Sequence, residues 1–303
     1  MPNSWKISAY DRKVIIQDAL IAHEVDEEFD PTIVITGFEV LPHEPDDWVL
    51  EAYLPRKPTK ADKASFAGLF SDDAPKLVIE ELPETDWVTE SQQGVDPIRA
   101  GRFYVRTAEH DTPRDQSLTD FVIPASQAFG TGQHETTAGC LAMLDLMKRQ
   151  GVIVRNHADI GTGTGLLAFA AMDLWPDALA TASDIDPVCE DVVEVNAVTN
   201  HFALGDSNGE LLMVTADGMI DPVLEVRGPY DLLIANILAG PLVELAPEFS
   251  NAVIEDGHIL LAGLLTEQEP DVRRAYRRAG FRLAKRLVNG DWSILWLRKR
   301  TSF

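Results

Sequence analysis

From Phe121 to the carboxyl terminus, short apolar segments alternate with segments of helical periodicity. The segments "LATASD", "YDLLIANI" and "GHILLAGLL" have the composition of buried strands, whereas "GLLAFAAMDLW" and "DPVCEDVVEVNAVTN" have that of helices. Apolar strands separated by helices are typical of a parallel sheet that helices cover on both faces. This alternation therefore predicts a doubly wound α/β domain.

The last two strand candidates depart from that alternation. "FRLAKRLV" and "DWSILWLRK" flank Asn289-Gly290, a dipeptide typical of type I′ hairpins, in which both central residues have positive φ. We therefore expect a mostly parallel, seven-stranded sheet that closes with an antiparallel hairpin. This is the layout of class I methyltransferases, which use S-adenosylmethionine, and plain dinucleotide-binding domains usually lack the hairpin.

The amino-terminal part of the chain has a different pattern. Residues 1–88 mix strand candidates such as "PTIVITGFEV" with helix candidates such as "KADKASFAGLF", which predicts a smaller α+β domain. Residues 89–120 are mainly polar and predict a linker. Residues 121–303 then form the doubly wound domain.

The chain is strongly acidic, with 49 Asp and Glu against 26 Lys and Arg and a net charge of -23. The first 124 residues are the more densely acidic part, with 25 acidic against 12 basic side chains. This balance argues against stable nucleic-acid binding, which needs a basic surface, and it favours a basic protein partner. The alternative is that the acid only keeps the protein in solution.

Several other classes of protein are disfavoured. Cys140 and Cys189 lack a CxxC partner, and the seven histidines are scattered, so we expect neither a disulfide framework nor a metal site. No apolar run approaches the length of about 18 residues that a membrane helix needs, and the amino terminus lacks the layout of a signal peptide. We expect a cytoplasmic monomer.

A glycine-rich loop follows the first strand candidate of the large domain. "DIGTGTG" places Gly161, Gly163 and Gly165 in a G-x-G-x-G pattern, and Leu166 stands where the dinucleotide fingerprint has its third glycine. Glycines at a strand end allow a ligand to approach the backbone closely. Asp159 begins the loop and is a candidate acceptor for a ligand ammonium group.

Two carboxylates follow the next strand candidates. Asp184 lies about 20 residues beyond the loop, where an acidic side chain can accept hydrogen bonds from both ribose hydroxyls of a nucleoside. Asp217 is a candidate for the adenine amino group or, equally, a surface turn residue. The acidic loops favour a cationic sulfonium cofactor over a pyrophosphate, which prefers a free helix amino terminus.

Asn236 ends the apolar segment "YDLLIAN". A polar residue at the carboxyl edge of a parallel sheet is directed into the cleft where ligands bind. Its amide oxygen can accept a hydrogen bond from an amine nucleophile, which predicts a catalytic role. The alternative is an N-cap for the helix that follows.

Taken together, "AFGTGQHETT", "DIGTGTGLLA", "SDIDP", "ANILAGPLVELAPEF" and "GHILLAGLLTEQ" resemble the PrmA family, the methyltransferases of ribosomal protein L11. The resemblance covers residues 125–297, and it is weaker upstream, where only size and element type match. It implies transfer of methyl groups from S-adenosylmethionine to lysine and amino-terminal amines of that basic protein, which the amino-terminal domain docks.

The resemblance also implies particular site residues. It places Thr137, Gly161, Asp184 and Asn236 among the cofactor contacts, and Gly163 belongs to the same loop. It further implies that "FGTGQHETT" folds over the cofactor, with His134 ordering the loop. Gln133 and Glu135 depart from the family pattern, which has threonine and proline there.

Other interpretations remain open on the sequence. One is a related protein-lysine methyltransferase acting on another protein, such as an electron-transfer flavoprotein, and another is a non-catalytic module with the same fold. A nicotinamide oxidoreductase is disfavoured by Leu166 and the terminal hairpin. The arginine-rich segment "VRRAYRRAGFRLAKR" is a candidate contact for ribosomal RNA, but its helical spacing favours a solvated face.

Overall fold

The computed structural model describes residues 5–24, 29–30, 33–40, 46–70, 74–81, 96–124 and 133–301. Contacts divide the chain into two compact units, Met1–Glu90 and Ser91–Phe303. Within the described ranges, no helix is both long and apolar enough to cross a membrane.

The first unit is an antiparallel sheet with two helices on one face. Its elements are β1 (Trp5–Arg12), α1 (Lys13–Glu24), β2 (Val34–Glu39), β3 (Asp47–Leu54), α2 (Lys60–Gly68) and β4 (Val78–Glu81). The strand order is β2-β3-β1-β4. Because side chains alternate between the faces of a strand, Ile7 and Leu50 are buried on the same side as Ile16 of α1 and Phe66 of α2. This arrangement agrees with the α+β prediction.

The second unit begins with three short strands, β5 (Ile98–Ala100), β6 (Phe103–Arg106) and β7 (Thr119–Val122), which form a separate sheet in the order β5-β6-β7. Most of this stretch had been predicted as part of a linker. Phe103 and Phe121 are buried and stack at 5.8 Å between ring centroids. They belong to the hydrophobic core of the second unit, so the described part of the predicted linker is an ordered layer of that unit.

The remaining elements of the second unit alternate between strand and helix up to the terminal hairpin. They are α3 (Gln133–Arg149), β8 (Asn156–Ile160), α4 (Leu166–Leu174), β9 (Leu179–Asp184), α5 (Val188–Thr199), β10 (Ala203–Leu204), β11 (Glu210–Thr215), α6 (Pro222–Arg227), β12 (Tyr230–Asn236), α7 (Ala239–Glu244), α8 (Ala246–Ala252), β13 (Val253–Leu265), α9 (Glu269–Arg278), β14 (Phe281–Asn289) and β15 (Trp292–Lys299).

These strands form one eight-stranded sheet in the order β10-β11-β9-β8-β12-β13-β15-β14. The strands from β10 to β13 pair in parallel, whereas β15 is antiparallel to both of its neighbours. The doubly wound prediction is therefore confirmed. Seven strands were predicted, and the eighth is β10, which has only two residues and therefore leaves no periodic signal in the sequence.

The terminal hairpin is present, but its turn differs from the predicted one. Asn289 pairs with Trp292, so Gly290 and Asp291 form the two-residue loop. Gly290 has φ of 55°, and neither Asn289 nor Asp291 has positive φ. Positive φ at the first loop position alone fits a type II′ turn, which places glycine there.

Two hydrophobic cores cover the opposite faces of the large sheet. One contains residues of α3, α4 and α5, such as Leu144, Phe169 and Val193. The other contains residues of α7, α8 and α9, such as Leu242 and Phe249. With both faces covered, the strand ends and the two edge strands, β10 and β14, are the parts of the sheet that remain open to ligands.

Candidate functional site

A cleft of about 600 Å³ lies at the carboxyl ends of the parallel strands. β8, β9 and β12 end at neighbouring positions of the sheet edge, so residues far apart in sequence meet there. All five predicted site residues line this cleft: Thr137, Gly161, Gly163, Asp184 and Asn236. Its volume lies within the range of about 300–1,000 Å³ that is usual for small-molecule sites.

The glycine loop forms the floor of the cleft. Gly161, Gly163 and Gly165 have φ of 72°, 56° and 81°, values that side-chain-bearing residues rarely adopt. A Cβ atom on Gly161 would lie 2.3 Å from the Ile237 side chain, whereas one on Gly163 would meet no protein atom within 4 Å. Gly163 therefore leaves open space that a ligand can occupy, and Gly161 is required by the fold itself.

Asp184 ends β9 and ties the glycine loop to that strand. Its Oδ2 accepts a hydrogen bond from the Gly163 backbone N–H at 2.8 Å, and its Oδ1 accepts one from the Asp186 N–H at 3.1 Å. Each carboxylate oxygen has a second lone pair. The carboxylate is thus fixed at the cleft wall with acceptor capacity left for a ligand.

Asp159 lies behind the glycine loop and does not line the cleft. Its Oδ2 accepts hydrogen bonds from Thr162 Oγ1 at 2.6 Å and from the Ala168 N–H at 3.2 Å. Its Oδ1 is buried without a partner among the described residues, and burial raises the pKa of Asp159 to about 7. The predicted direct contact with a ligand ammonium is therefore wrong for this geometry, because the carboxyl group holds the loop from beneath.

Asn236 ends β12 and is only half-buried. The helix that follows, α7, begins at Ala239 with Leu238 as its N-cap residue. The N-cap interpretation of Asn236 is therefore wrong, because the N-cap position lies two residues further along the chain. No hydrogen bond holds its side-chain amide within the described part of the chain, so the amide can turn toward a ligand.

The chain makes room for the turn after Asn236 with a glycine in the neighbouring strand. Gly263 has φ of 82°, and a Cβ there would lie 2.2 Å from the Ile237 carbonyl oxygen. The register of β13 against β15 shifts at this point. Our sequence analysis missed Gly263, although a glycine inside a buried strand pattern indicates a close backbone approach.

Thr137 reaches the cleft from the first turns of α3. The amino-terminal end of that helix is joined to the terminal hairpin, because Asn289 Nδ2 donates a hydrogen bond to the Glu135 carbonyl oxygen at 3.0 Å. Residues 125–132 and the side chains of Gln133 and His134 lie outside the described residues. The predicted closure of the "FGTGQHETT" loop, and the role given to His134, stay predictions.

The charged side chains among the described residues that line the cleft are all acidic. Asp184, Asp186 and Asp217 line it, and no Lys or Arg is among the described lining residues. Such a wall attracts a cation and repels phosphate. Asp217 reaches the cleft as predicted, although its proposed contact with adenine stays a prediction.

Apolar and thiol groups complete the walls, and sequence analysis missed their role. Ile185, Val188 and Leu238 line the cleft while remaining largely exposed. Cys189 also lines it, and burial together with the neighbouring Asp184 carboxylate raises the pKa of the Cys189 thiol to about 11. The cleft therefore has a neutral, apolar side.

Comparisons with known proteins agree with this fold. Residues 14–300 match the family model described as ribosomal protein L11 methyltransferase (PrmA). The ribosomal protein L11 methyltransferase of Agrobacterium fabrum is 37% identical over 260 residues, which cover 84% of this chain and 85% of that protein. The protein of the same name from Sinorhizobium fredii is 39% identical over 84% of this chain and 86% of its own length.

Among solved structures, the ribosomal protein L11 methylase of Lactobacillus delbrueckii subsp. bulgaricus superposes with a TM-score of 0.54 and 26% sequence identity. The alignment covers 68% of this chain and 99% of that chain. The family match spans both units and the whole cleft. The chain belongs to the ribosomal protein L11 methyltransferase (PrmA) family.

Proposed function

We propose that this protein transfers methyl groups from S-adenosylmethionine to amines of ribosomal protein L11, both lysine side chains and the amino-terminal α-amine. The single observation that carries this proposal is the convergence of Thr137, Gly161, Gly163, Asp184 and Asn236 on one cleft of a PrmA-family chain.

The residues of the cleft fit S-adenosylmethionine. Asp184 is positioned to accept hydrogen bonds from the ribose hydroxyls, and the open space above Gly163 admits the methionine part of the cofactor. Ile185 and Val188 offer an apolar wall for the adenine ring. The three aspartates and the lack of a described cation at the wall suit a positively charged sulfonium.

S-adenosylmethionine supplies an electrophilic methyl carbon when bound, so the protein has to provide alignment and desolvation. Asn236 is placed to accept a hydrogen bond from the target N–H with its amide oxygen, which directs the nitrogen lone pair toward the cleft. Holding the reacting groups in this geometry can contribute about 7 to 11 kcal/mol to lowering the barrier. A dedicated strong base is not needed for the transfer itself.

The target amine still has to lose a proton before it reacts. An unperturbed lysine has a pKa near 10.4 and an α-amine one near 8. Ile237 and Leu238 beside Asn236 give the cleft mouth apolar surface, and such surroundings lower an amine pKa because they penalise the charged form. We therefore expect the α-amine to react at lower pH than the lysines.

We assign substrate recognition to the amino-terminal domain, residues 1–88, and catalysis to the domain of residues 121–303, to whose core the described part of the predicted linker, residues 89–120, contributes side chains. The acidic character of the first 124 residues, with 25 Asp and Glu against 12 Lys and Arg, supports recruitment of a basic protein by charge. We expect the enzyme to act as a monomer in the cytoplasm, where ribosomal proteins are made.

The test is mass spectrometry of purified L11 after incubation with the protein and S-adenosylmethionine. We expect added methyl groups on lysines and on the amino terminus, and none when S-adenosylmethionine is omitted. Unmodified L11 together with a methylated electron-transfer flavoprotein would assign a different substrate. If calorimetry detects no binding of S-adenosylmethionine, the catalytic proposal itself fails.

A further inference from the structure

A second concave surface lies between α9 and β14, which pack against each other. It encloses about 910 Å³. Five arginines and one carboxylate are among its lining residues: Arg273, Arg274, Arg277, Arg282, Arg286 and Glu269. We call this surface the arginine groove.

The one carboxylate that lines the arginine groove is buried and shared. Glu269 Oε1 accepts a hydrogen bond from Arg273 Nη1 at 3.1 Å, and its Oε2 accepts one from Arg286 Nε at 2.6 Å and one from Ser293 Oγ at 2.7 Å. A single negative charge thus positions two guanidinium groups. Each guanidinium has five N–H groups, so both retain donors that Glu269 does not use.

The other arginines of the groove carry positive charge with less compensation. Within residues 133–301, Arg277 and Arg282 make no ion pair, and the recorded hydrogen bonds of Arg282 run to the backbone carbonyls of Arg277 and Phe281. Arg274 pairs with Asp271, but both side chains are more than half exposed, and such pairs contribute little. The groove therefore has a net surplus of positive charge.

A buried hydroxyl group at the groove wall lacks a partner. Tyr276 lines the groove and is 1% exposed, and its Oη has no hydrogen-bond partner among the described residues. Most buried polar atoms in proteins are hydrogen-bonded. The Tyr276 hydroxyl is therefore an unsatisfied donor in the wall of the groove.

Protection of a sheet edge does not account for this surface. β14 is an edge strand, and charged side chains there prevent pairing with other chains, which explains Arg282, Lys285 and Arg286. Arg273, Arg274 and Arg277 lie on α9, away from the strand edge. Edge protection therefore does not explain the charge on the helix.

The net charge of -23 does not decide what this groove binds. The Debye length at physiological ionic strength is about 8 Å, so carboxylates farther away are largely screened. Within residues 269–286 the sequence has seven Lys and Arg against two Asp and Glu. A polyanion that touches only this segment experiences a positive surface.

We propose that the arginine groove binds the phosphate backbone of single-stranded RNA. Arginine is the cation that matches phosphate with paired N–H donors. From Arg282 to Arg286 the edge strand extends about 13 Å, so the row of arginines suits several successive phosphates better than one. The choice of RNA over other polyanions rests on the proposed function, because a ribosomal protein substrate is an RNA-binding protein.

The experiment measures fluorescence anisotropy of a labelled 12-nucleotide oligouridine RNA titrated with the full chain at 50 mM KCl. We expect a dissociation constant on the order of 10 µM, typical of non-specific contacts. Arg277→Glu should weaken binding about tenfold, and Arg277→Lys by less, because the charge remains while the paired donors are lost.

The matched control is Arg155→Glu, which makes the same charge change at an exposed residue just before β8. Four strand spacings of about 4.8 Å, or about 19 Å in all, separate β8 from β14, which is more than the Debye length of about 14 Å at 50 mM KCl. Binding by Arg155→Glu should stay within twofold of the unsubstituted chain. Thermal unfolding midpoints of the variants check that each one folds.

Two outcomes would overturn the proposal: no RNA binding at 50 mM KCl, or equal losses in Arg277→Glu and Arg155→Glu. Poly-glutamate that competes as well as RNA would also overturn it, because the groove would then be a general anion surface. Methylation of free L11, measured separately on the same variants, should be unchanged. A loss of RNA binding is thereby distinguished from a failure of the proposed function.

Discussion

The cleft and the arginine groove belong to the same unit, and their lining residues have opposite charge. The cleft has three aspartates and no described Lys or Arg, whereas the groove has five arginines and one glutamate. The net charge of the chain describes neither surface. Ligand preference is set by the few charges within about a Debye length of the site.

The two surfaces also differ in what holds their charged groups. Asp184 in the cleft is fixed by two backbone N–H groups, so its position follows from the loop. Arg273 and Arg286 in the groove are fixed by one buried side chain, Glu269. The cleft is thus built for one defined ligand pose, and the groove for a ligand that can shift along a row of charges.

The largest expected effect concerns catalysis in the cleft. Asn236→Ala should lower the rate constant for methyl transfer about 10²- to 10³-fold, as loss of one positioned polar group does in other enzymes. Affinity for S-adenosylmethionine should stay within about tenfold. Single-turnover kinetics and calorimetry measure the two quantities separately.

Asn251→Ala, on an exposed part of α8, is the matched control and should change neither quantity. If Asn236→Ala lowers affinity and rate by the same factor, Asn236 only binds the cofactor, and its catalytic role is refuted.

The next effect tests binding in the acidic cleft. Asp184→Ala should weaken S-adenosylhomocysteine binding about 100-fold, because hydrogen bonds to a charged group contribute about 1.5–3 kcal/mol each. Isothermal titration calorimetry measures the affinity. Asp191→Ala removes the same charge from an exposed position of α5 and should have little effect, and comparable losses in both variants would mean that charge alone, without the contact, holds the ligand.

A third effect concerns the sheet core that supports both surfaces. His157 on β8 is fully buried, both ring nitrogens lack partners among the described residues, and burial lowers the pKa of His157 to about 3. The unfolded chain has a histidine pKa near 6.5, so between these values the unfolded state binds more protons. The contribution of His157 to the free energy of unfolding is therefore lost as pH falls below about 6.5.

His157→Leu should remove that dependence. Between pH 7 and pH 5 the unsubstituted chain should lose about 2 kcal/mol more unfolding free energy than the variant, measured by urea denaturation at both pH values. The two chains are compared with each other because Asp159 is present in both. Its raised pKa increases the unfolding free energy as pH falls, which is the opposite of the effect of His157. Parallel pH profiles would contradict the buried, neutral state of His157.

The smallest expected effect is a difference between the two surfaces in how strongly added salt weakens ligand binding. Raising KCl from 50 to 200 mM should weaken RNA binding about 20-fold if three phosphates are contacted, since the slope for single strands is about −0.7 per contact. S-adenosylhomocysteine affinity should change less than twofold, because that ligand carries no net charge. Equal salt dependence of both ligands would remove the distinction between cleft and groove.

Much of the cleft could be predicted because strand ends meet at one edge of a parallel sheet. The strand-glycine-helix order of "DIGTGTG", the acidic end of β9 at Asp184 and the polar end of β12 at Asn236 are all visible in the sequence. The alternative role of Asn236 as an N-cap could not be rejected there, because helix boundaries depend on the backbone of the turn. Gly263 was missed because the backbone that leaves no room for a side chain there, the Ile237 carbonyl, belongs to the turn after another strand.

Other features were decided by contacts between distant segments. β5, β6 and β7 have three or four residues each, too few for a periodic signal, and they are stabilised as strands by burying Phe103 and Phe121 in the core of the second unit. The hairpin turn shifted by one residue from the predicted position because pairing along β14 and β15 fixes the register.

The sequence by itself determined the sheet type, the family and the identity of the five predicted site residues that line the cleft, since hydrophobic periodicity and short loop motifs are local properties. Only the tertiary structure decided that Asp159 lies beneath the loop, that Glu269 is buried between two arginines, and that α9 and β14 face each other across a groove. Burial and charge neutralisation depend on which segments pack together, and sequence spacing does not specify that packing.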